Sequence, residues 1–297
     1  MRCAICGRGG CADLGPILHP LPTQVAGVLI DLPGDYRLKR CGRCGFQFKD
    51  PPIAADRLLA CYAEAESSHW GETVDPRERR FDVIAELLGR HAPGRRVLDI
   101  GCFNGALLEY LGSAWERYGV EPSRNAVVTA KQRGVRIVGR TLNDVPGEVG
   151  AFDAILAIDV VEHIAEPVGF FRGVWERLGP NGIFLAVTGD TDALTWRMQG
   201  SRYWYCSIPE HVSFYCQSTM AYLEREMGME RVEYERHSHI RSRIGPKSVE
   251  LAKNLIYTVG NRLKGLGVRR FQRTFVERRA PGWMTARDHM FYVMKRR

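Results

Sequence analysis

Two pairs of cysteines near the start of the chain have the spacing of metal ligands. Cys3 and Cys6 belong to one C-x-x-C-G sequence, and Cys41 and Cys44 belong to another. The tight turn in such a sequence brings both thiolates to one point, and the following glycine takes up the positive φ. Four thiolates form a closed tetrahedral zinc site with no open position for catalysis. We therefore predict a structural zinc ion in a small module at residues 1–60, which has too little core to be stable without metal.

A second group of candidate residues lies where two predicted strands end. The stretch from Arg96 to Ser123 has the pattern of a strand, a glycine turn, a helix and a second strand. Asp99 interrupts the apolar run of the first strand, and Glu121 directly follows the second. In open α/β sheets, ligands bind outside the carboxyl ends of the strands. We therefore expect both carboxylates to line one crevice.

The glycine turn in this stretch narrows the choice of ligand. Its pattern is D-x-G-x-x-x-G, with Gly101 and Gly105 on either side of the turn. Phe103 stands where a dinucleotide fingerprint has its middle glycine. The bulk of Phe103 and the charge of Asp99 both argue against an anionic pyrophosphate, and a ligand with a ribose diol and a positive charge suits two carboxylates better. An NAD site and a ligand-free α/β core are the alternatives.

The segment DIGCFNG, followed by Glu121, resembles the first motif and the strand-two acid of the class I S-adenosylmethionine-dependent methyltransferases. The resemblance implies an α/β fold with a Rossmann-like seven-stranded sheet, mostly parallel with an antiparallel edge, and the small zinc-ribbon module at its N-terminus. It also implies S-adenosylmethionine as the cofactor, with the glycine loop at its amino-acid end and Glu121 on both ribose hydroxyls. The residues expected to contact the cofactor are Asp99, Gly101, Cys102, Phe103, Gly105, Glu121, Pro122, Leu142, Asn143 and Asp159.

Two later segments resemble motifs on the substrate side of methyltransferases. DVVEHI at Asp159–Ile164 is similar to the family's D-V-x-E-H-[IL] segment beside the sulfonium. PEHVSFY at Pro209–Tyr215 resembles a segment in methyltransferases of bacterial sugar and cell-surface glycan pathways, including sugar C-methyltransferases with an N-terminal cysteine ribbon. The resemblance implies that Glu210 orients His211 and that His211 is the general base, with His163 as a further catalytic candidate. The alternative is that these histidines only cap, pack or fix local geometry.

The chemistry of methyl transfer explains why a histidine is expected there. A hydroxyl is a poor nucleophile unless it loses its proton as it attacks, and a histidine with a pKa near ~6.5 suits that transfer. From the resemblance and the aromatic run at residues 196–215 we expect a small-molecule acceptor, a sugar or glycan precursor, methylated on oxygen or carbon. Because the chain ends without the large C-terminal domain of sugar C-methyltransferases, a lipid-linked or quinone- or phenol-type acceptor stays open.

Composition restricts the other classes of function. The 297 residues contain no apolar run near the ~20 residues of a membrane span and no signal-peptide core at the N-terminus, which predicts a cytoplasmic protein. Nine cysteines in a reducing compartment indicate metal ligands and core residues rather than disulfides, with Cys11 as a spare ligand. The cysteine module lacks the dense basic surface that nucleic acid requires, so nucleic acid is not expected as a partner. A zinc-ribbon protein that modifies or binds RNA is the alternative from a different class.

The net charge of +8 is unevenly distributed. Residues 241–297 contain 15 Lys and Arg against 3 acids, whereas the first 240 residues contain 27 against 31. Apolar residues at helical spacing from Ile244 to about Leu266 predict a basic helical insertion at 241–287. Three roles are open for it: a lid over the substrate, a peripheral contact with an anionic membrane surface, or a solvated basic face above a core stripe.

Hydrophobic patterning predicts the elements that position these residues. A linker and a helix at Pro76–His91 fill residues 61–95, and the methyltransferase domain takes residues 96–240 and 288–297. Within that domain we expect helices and strands to alternate: a helix from Pro122 to Arg133, a strand at Val135–Val138, a strand at Phe152–Asp159, a helix from Glu166 to Leu178, a strand at Ile183–Thr188, and an edge pair at Glu230–His237 and His289–Lys295.

Overall fold

The computed structural model describes residues 1–20, 22–32, 35–65, 81–238, 244–265, 280–283 and 285–297. Its first elements are β1 (Ala12–Pro16), β2 (Gln24–Val25), β3 (Val28–Leu29), β4 (Arg37–Arg40), β5 (Gln47–Asp50), α1 (Ala55–Glu64) and α2 (Phe81–His91). They are followed by β6 (Arg96–Ile100), α3 (Ala106–Leu111), β7 (Glu116–Val120), α4 (Arg124–Gln132), β8 (Arg136–Gly139), β9 (Phe152–Ile158) and α5 (Pro167–Arg177). The last elements are β10 (Leu178–Gly189), α6 (Leu194–Gln199), β11 (Ser213–Phe214), α7 (Gln217–Met227), β12 (Met229–His237), α8 (Ile244–Gly265) and β13 (His289–Arg296).

The largest sheet has seven strands in the order β8-β7-β6-β9-β10-β13-β12. Strands β6 to β10 pair in parallel with their neighbours, whereas β13 runs antiparallel to both β10 and β12. This is the predicted mostly parallel sheet with an antiparallel edge. Strand β6 shows why the sheet forms. Its residues Val97, Leu98 and Ile100 are at most 5% exposed, as expected for a parallel strand with both faces covered.

Two boundaries differ from the sequence prediction. Strand β10 begins at Leu178 rather than at Ile183, because Leu178 pairs with Phe152 before the register shifts across the Gly-Pro-Asn-Gly segment. The described part of α2 begins at Phe81, and the predicted start at Pro76 lies outside the described residues.

The cysteine module is joined to the larger domain by a shared sheet. Its four strands are in the order β1-β4-β5-β11, and β11 comes from the predicted substrate segment more than 160 residues later in the chain. Ser213 pairs with Phe48, and Phe214 pairs with Gln47. The edge of β5 is therefore covered by the very segment that carries His211.

Helix α8 presents a different face to the protein than its pattern predicts. Asn254 is fully buried and accepts a hydrogen bond of 2.8 Å from Gln199 Nε2. The apolar residues expected as a core stripe are instead 43–63% exposed in the described part of the chain: Val249, Leu255, Ile256 and Val259. The core-stripe interpretation is therefore wrong, because the face of this helix that is buried carries the polar residues Asn254 and Thr258. The lid and membrane roles stay predictions, and residues 266–279 of this insertion lie outside the described part.

Among the described residues, no helix combines the length and apolar character needed to cross a bilayer.

Gly105 provides a test of the turn that carries the cofactor motif. Its φ is +76°, and a Cβ there would lie 2.9 Å from Val135 Cγ2 and 3.1 Å from Ala130 Cα. We expect Gly105→Ala to lower the free energy of unfolding by roughly 1–3 kcal/mol, because it adds backbone strain and a backbone clash. Denaturant unfolding measures this, with Gly147→Ala as the control, since that site has no atom within 4 Å. Equal destabilisation by both changes would contradict the explanation.

Candidate active site and metal centre

The four predicted zinc ligands come together at the edge of the cysteine module. Cys3 Sγ lies 3.6 Å from Cys44 Sγ, and Cys6 Sγ lies 3.4 Å from Cys41 Sγ. All four sulfur atoms lie within 4.8 Å of one another. Tetrahedral zinc with bonds of about 2.3 Å separates sulfurs by about 3.8 Å, so this donor set fits the ion. Cys11 is half-buried nearby and is not one of the four.

The two carboxylates expected in the cofactor crevice lie at the carboxyl ends of β6 and β7. Glu121 Oε2 accepts a 2.8 Å hydrogen bond from the backbone N–H of Phe103, and Oε1 accepts one of 2.8 Å from Ser123 N–H. Phe103 has a φ of +46°, and Gly101 has a φ of +70° with Val160 in the space of a Cβ. The strand-two acid therefore holds the glycine turn in a conformation that L residues rarely adopt.

The electrostatics of this pair favour a cationic ligand. Asp99 and Glu121 are only 4% and 6% exposed. Burial and the neighbouring Glu121 carboxylate raise the pKa of Asp99 to about 8. Burial raises the pKa of Glu121 to about 6, against the opposing effect of the Ser123 and Phe103 N–H groups. A positive charge in the crevice stabilises the ionised form of both groups.

Beside Glu121 lies an open cleft of about 530 Å³. Pro122 lines it as expected, together with Arg124, Val127, Ile137, Gly139, Arg140 and Asp144. Of the ten residues expected to contact the cofactor, Glu121 and Pro122 line this cleft, and the other eight, Leu142 and Asn143 included, do not. Leu142 is 5% exposed and packs in the core. The cause is local: the Asp144 carboxylate accepts hydrogen bonds from Thr141 N–H (2.7 Å) and Thr141 Oγ1 (3.0 Å), which turns Leu142 inward.

Two other expected cofactor contacts differ in what they present to the crevice. The Cys102 sulfur packs against Gly119, where a Cβ would come within 2.5 Å of it, so its side chain belongs to the core. Asp159 follows β9 with a φ of +52°, and its Oδ1 is buried without a hydrogen-bond partner among the described residues. The residue expected at the sulfonium thus has an unsatisfied carboxylate oxygen.

Helix α1 connects the two ends of the crevice. At one end, Ser123 Oγ donates a 3.1 Å hydrogen bond to Ala65 O, directly after the helix. At the other, the Tyr62 hydroxyl lies 2.8 Å from Nδ1 of His163. Sequence reasoning assigned Tyr62 to a linker. The contact depends on where α1 docks, and local patterning does not show that.

The predicted histidines meet at the other side of this crevice. The rings of His163 and His211 are edge to face with centroids 4.8 Å apart. Burial lowers the pKa of His163 to about 4 and holds that of His211 well below its ordinary value, so both imidazoles are neutral. Glu162 is fully buried beside them and accepts hydrogen bonds from the Tyr205 hydroxyl and, at 2.8 Å, from Thr188 Oγ1. Trp196 and Tyr203 of the expected aromatic wall are instead core residues, at most 1% exposed.

The partner that orients His211 differs from the expected one. Nδ1 of His211 lies 3.2 Å from the Tyr205 carbonyl, and its orientation comes from this backbone group rather than from Glu210. Glu210 lies near Lys49, a residue of β5 that is 1% exposed. Lys49 Nζ donates hydrogen bonds to Ile208 O (2.6 Å) and Pro209 O (3.1 Å). A lysine of the cysteine module thereby holds the loop that ends at His211, and no short motif in the sequence signals this contact.

The strand order, the glycine turn and the two carboxylates define a class I S-adenosylmethionine-dependent methyltransferase. A family model described as "Methyltransferase domain" matches residues 73–234, and the chain belongs to this family.

The relatives are similar over part of the chain. The ubiquinone biosynthesis O-methyltransferase of Azorhizobium caulinodans is 33% identical over 178 residues, covering 53% of this chain and 66% of that protein. The enzyme of the same name from Methylocella silvestris is 35% identical over 125 residues, covering 38% and 49%. The chain therefore spans less than two thirds of the length of these relatives.

Solved structures share lower identity. N-methyltransferase NodS from Bradyrhizobium japonicum, in complex with S-adenosyl-L-homocysteine, is 14% identical with a TM-score of 0.49, covering 82% of this chain and 99% of that one. A methyltransferase from Archaeoglobus fulgidus is 15% identical with a TM-score of 0.49, covering 74% and 97%.

The thiolate site predicts one tightly bound zinc ion per chain. We expect Cys41→Ser to lose the zinc and to lower the melting temperature by several degrees, because the module has little core of its own. Metal analysis by mass spectrometry and thermal unfolding measure the two effects. Cys11→Ser is the control and should keep the zinc, whereas its loss there would assign Cys11 to the ligand set.

The raised carboxyl pKa values predict a pH-dependent affinity for S-adenosylmethionine. Ionisation of Glu121 and Asp99 as the pH rises through about 6 and about 8 should strengthen binding of the cation by about tenfold. Calorimetry across this range measures the effect. Asp99→Asn should flatten the dependence, and the comparison removes the contribution of the ligand's own ionisation. An equally steep dependence in Asp99→Asn would contradict this assignment.

Lys49 is expected to act as a positioning residue for the His211 loop. Lys49→Met removes both hydrogen bonds to the loop carbonyls, and we expect kcat/KM to fall about 10–100-fold through misplacement of the loop. Affinity for S-adenosylhomocysteine and zinc content should stay unchanged, because neither site contacts Lys49. Lys131→Met, on the exposed face of α4, is the matched control. A parallel loss of cofactor affinity or zinc would indicate a general folding defect instead.

Proposed function

We propose that the protein transfers a methyl group from S-adenosylmethionine to a hydroxyl of a phenol- or quinone-type ring. The sequence alone favoured a sugar or glycan acceptor and held this ring as the alternative. The names of the relatives, ubiquinone biosynthesis O-methyltransferases, support the alternative better. Their similarity covers part of this chain, and the residues of the site give the further support.

The observation that carries the proposal is the neutral polar cluster at the end of the crevice. His163, His211, Tyr62 and Tyr205 surround the place beyond Asp159 where the resemblance puts the reactive methyl group. The aromatic ring of Tyr205 lies 4.1 Å from the imidazole of His211 between centroids. Tyr205 is itself buried and supports the imidazole of His211 from behind, so the groups that can face an acceptor ring are the partly exposed Tyr62 and His163 together with the edge of His211.

The protein's own residues have separate tasks in this reaction. S-adenosylmethionine supplies an electrophilic methyl group. Asp99 and Glu121 bind the cationic nucleoside, with Glu121 facing the ribose. The cluster around His211 receives the acceptor and promotes loss of its hydroxyl proton as the oxygen attacks in line with the departing sulfur. Two roles of His211 fit this geometry: proton acceptor and metal ligand.

The acceptor class is tested with the purified full chain and isotope-labelled S-adenosylmethionine. Dihydroxybenzoates carrying a short prenyl chain are compared with nucleotide sugars, and products are identified by the mass of one added CH₂ group. We expect methylation of the ring hydroxyl, reduced at least about 100-fold in Glu121→Ala. Methylation of nucleotide sugars with no reaction on the rings would overturn the proposed acceptor.

A further inference from the structure

The histidines and Glu162 form a second group of possible metal ligands, separate from the thiolates. One ligand atom each of Glu162, His163 and His211 lies within 4.8 Å of the others. Glu162 and His163 are in the turn after β9, and His211 is in the loop before β11, so the group assembles only in the folded protein. We propose that these three side chains bind a divalent transition-metal cation at the acceptor end of the crevice.

The hydrogen bonds around the group have the arrangement of an outer ligand shell. Nδ1–H of His211 donates to the Tyr205 carbonyl, which leaves the Nε2 lone pair without a hydrogen-bond partner among the described residues. The carboxylate of Glu162 is held by the hydroxyls of Tyr205 and Thr188. Metal-ligating histidines usually donate their other ring N–H to a carbonyl or carboxylate, and ligating carboxylates are themselves hydrogen-bonded.

The charges and donor types agree with a cation. Glu162 is fully buried near Asp159, whose Oδ1 is buried without a hydrogen-bond partner, and neither carboxylate is ion-paired to a Lys or Arg among the described residues. The charge of Lys49 reaches both histidines, so the attraction for a cation comes from these two carboxylates. Two imidazoles and one carboxylate are the donors that Mn²⁺, Fe²⁺, Co²⁺ and Zn²⁺ accept, in contrast to the sulfur donors of the cysteine site. Three protein ligands leave coordination positions open, as in catalytic rather than structural sites.

The consequence rests on the proposed function. A cation at this place would lower the pKa of an acceptor hydroxyl. The hydroxyl proton leaves to solvent, the carbon–oxygen bond forms as the carbon–sulfur bond breaks, and neutral S-adenosylhomocysteine departs. In this arrangement His211 gives its Nε2 lone pair to the cation and is not the proton acceptor.

Binding is tested without any acceptor, so the result does not depend on the acceptor class. The full chain, with its thiolate zinc in place, is titrated with Mn²⁺ and followed by water-proton relaxation. We expect one Mn²⁺ per chain and at least a tenfold weaker affinity in His211→Asn and in Glu162→Gln. His91→Asn, in the last turn of α2, is the matched control and should bind like the wild type.

Two further measurements keep the result interpretable. S-adenosylhomocysteine affinity and zinc content identify any variant that has failed to fold, and His163→Asn then replaces it in the comparison. Wild-type protein that binds no Mn²⁺, or folded variants that bind it as tightly as the wild type, would overturn the metal site.

The role in catalysis has its own readout once an accepting substrate is in hand. A mild chelator that leaves the thiolate zinc in place should abolish methyl transfer, and Mn²⁺ should restore it, with cofactor affinity unchanged throughout. Full activity in the chelator would overturn the catalytic role and would assign His211 as the proton acceptor.

Discussion

The pairing of β5 with β11 is the interaction on which the rest of the active site depends. It joins a cysteine module of weak core to a segment far along the chain, and it covers a sheet edge that would otherwise be open. Lys49 of β5 adds a second contact, because its Nζ donates hydrogen bonds to the carbonyls of Ile208 and Pro209 in the loop before His211. The module also contacts α7, where Ser218 and Thr219 both donate to Cys44 O, so the second cysteine pair is bonded directly to the larger domain.

The cofactor side depends on a different feature, two acidic side chains that are buried close to each other. The Glu121 carboxylate opposes the ionisation of Asp99, whereas two backbone N–H groups favour the ionised form of Glu121. A binding site that places unfavourable charge in the empty state gains more from a cationic ligand than from a neutral one. The two carboxylates thus favour a ligand with a positive charge, whereas the glycine turn determines which shape of ligand can approach the backbone.

Sequence patterns identified those parts of the molecule that depend on local chemistry. The two C-x-x-C turns and the apolar strand that contains Asp99 could be predicted because each is defined by a short run of neighbouring residues. The contact of Leu142 with the cofactor stays a prediction, and what the pattern did not show is that its side chain is buried while Asp144 accepts from Thr141 N–H in the same turn. Lys49 and Tyr62 could not be found at all, since each meets its partner only after segments about 100 to 160 residues apart are brought together.

The same distinction explains why short motifs predict the two histidines but not the group that orients His211. His211 was predicted from the resemblance of the PEHVSFY segment, but its hydrogen bond to the Tyr205 carbonyl is decided by the path of a short loop. Two contacts hold that loop. Lys49 Nζ donates to Pro209 O, and the backbone carbonyl of Glu162 accepts from Val212 N–H at 2.8 Å. The backbone at His211 and Glu162 is therefore fixed by two separate contacts, and the side chains are fixed by their own hydrogen bonds, as both proton transfer and cation binding require.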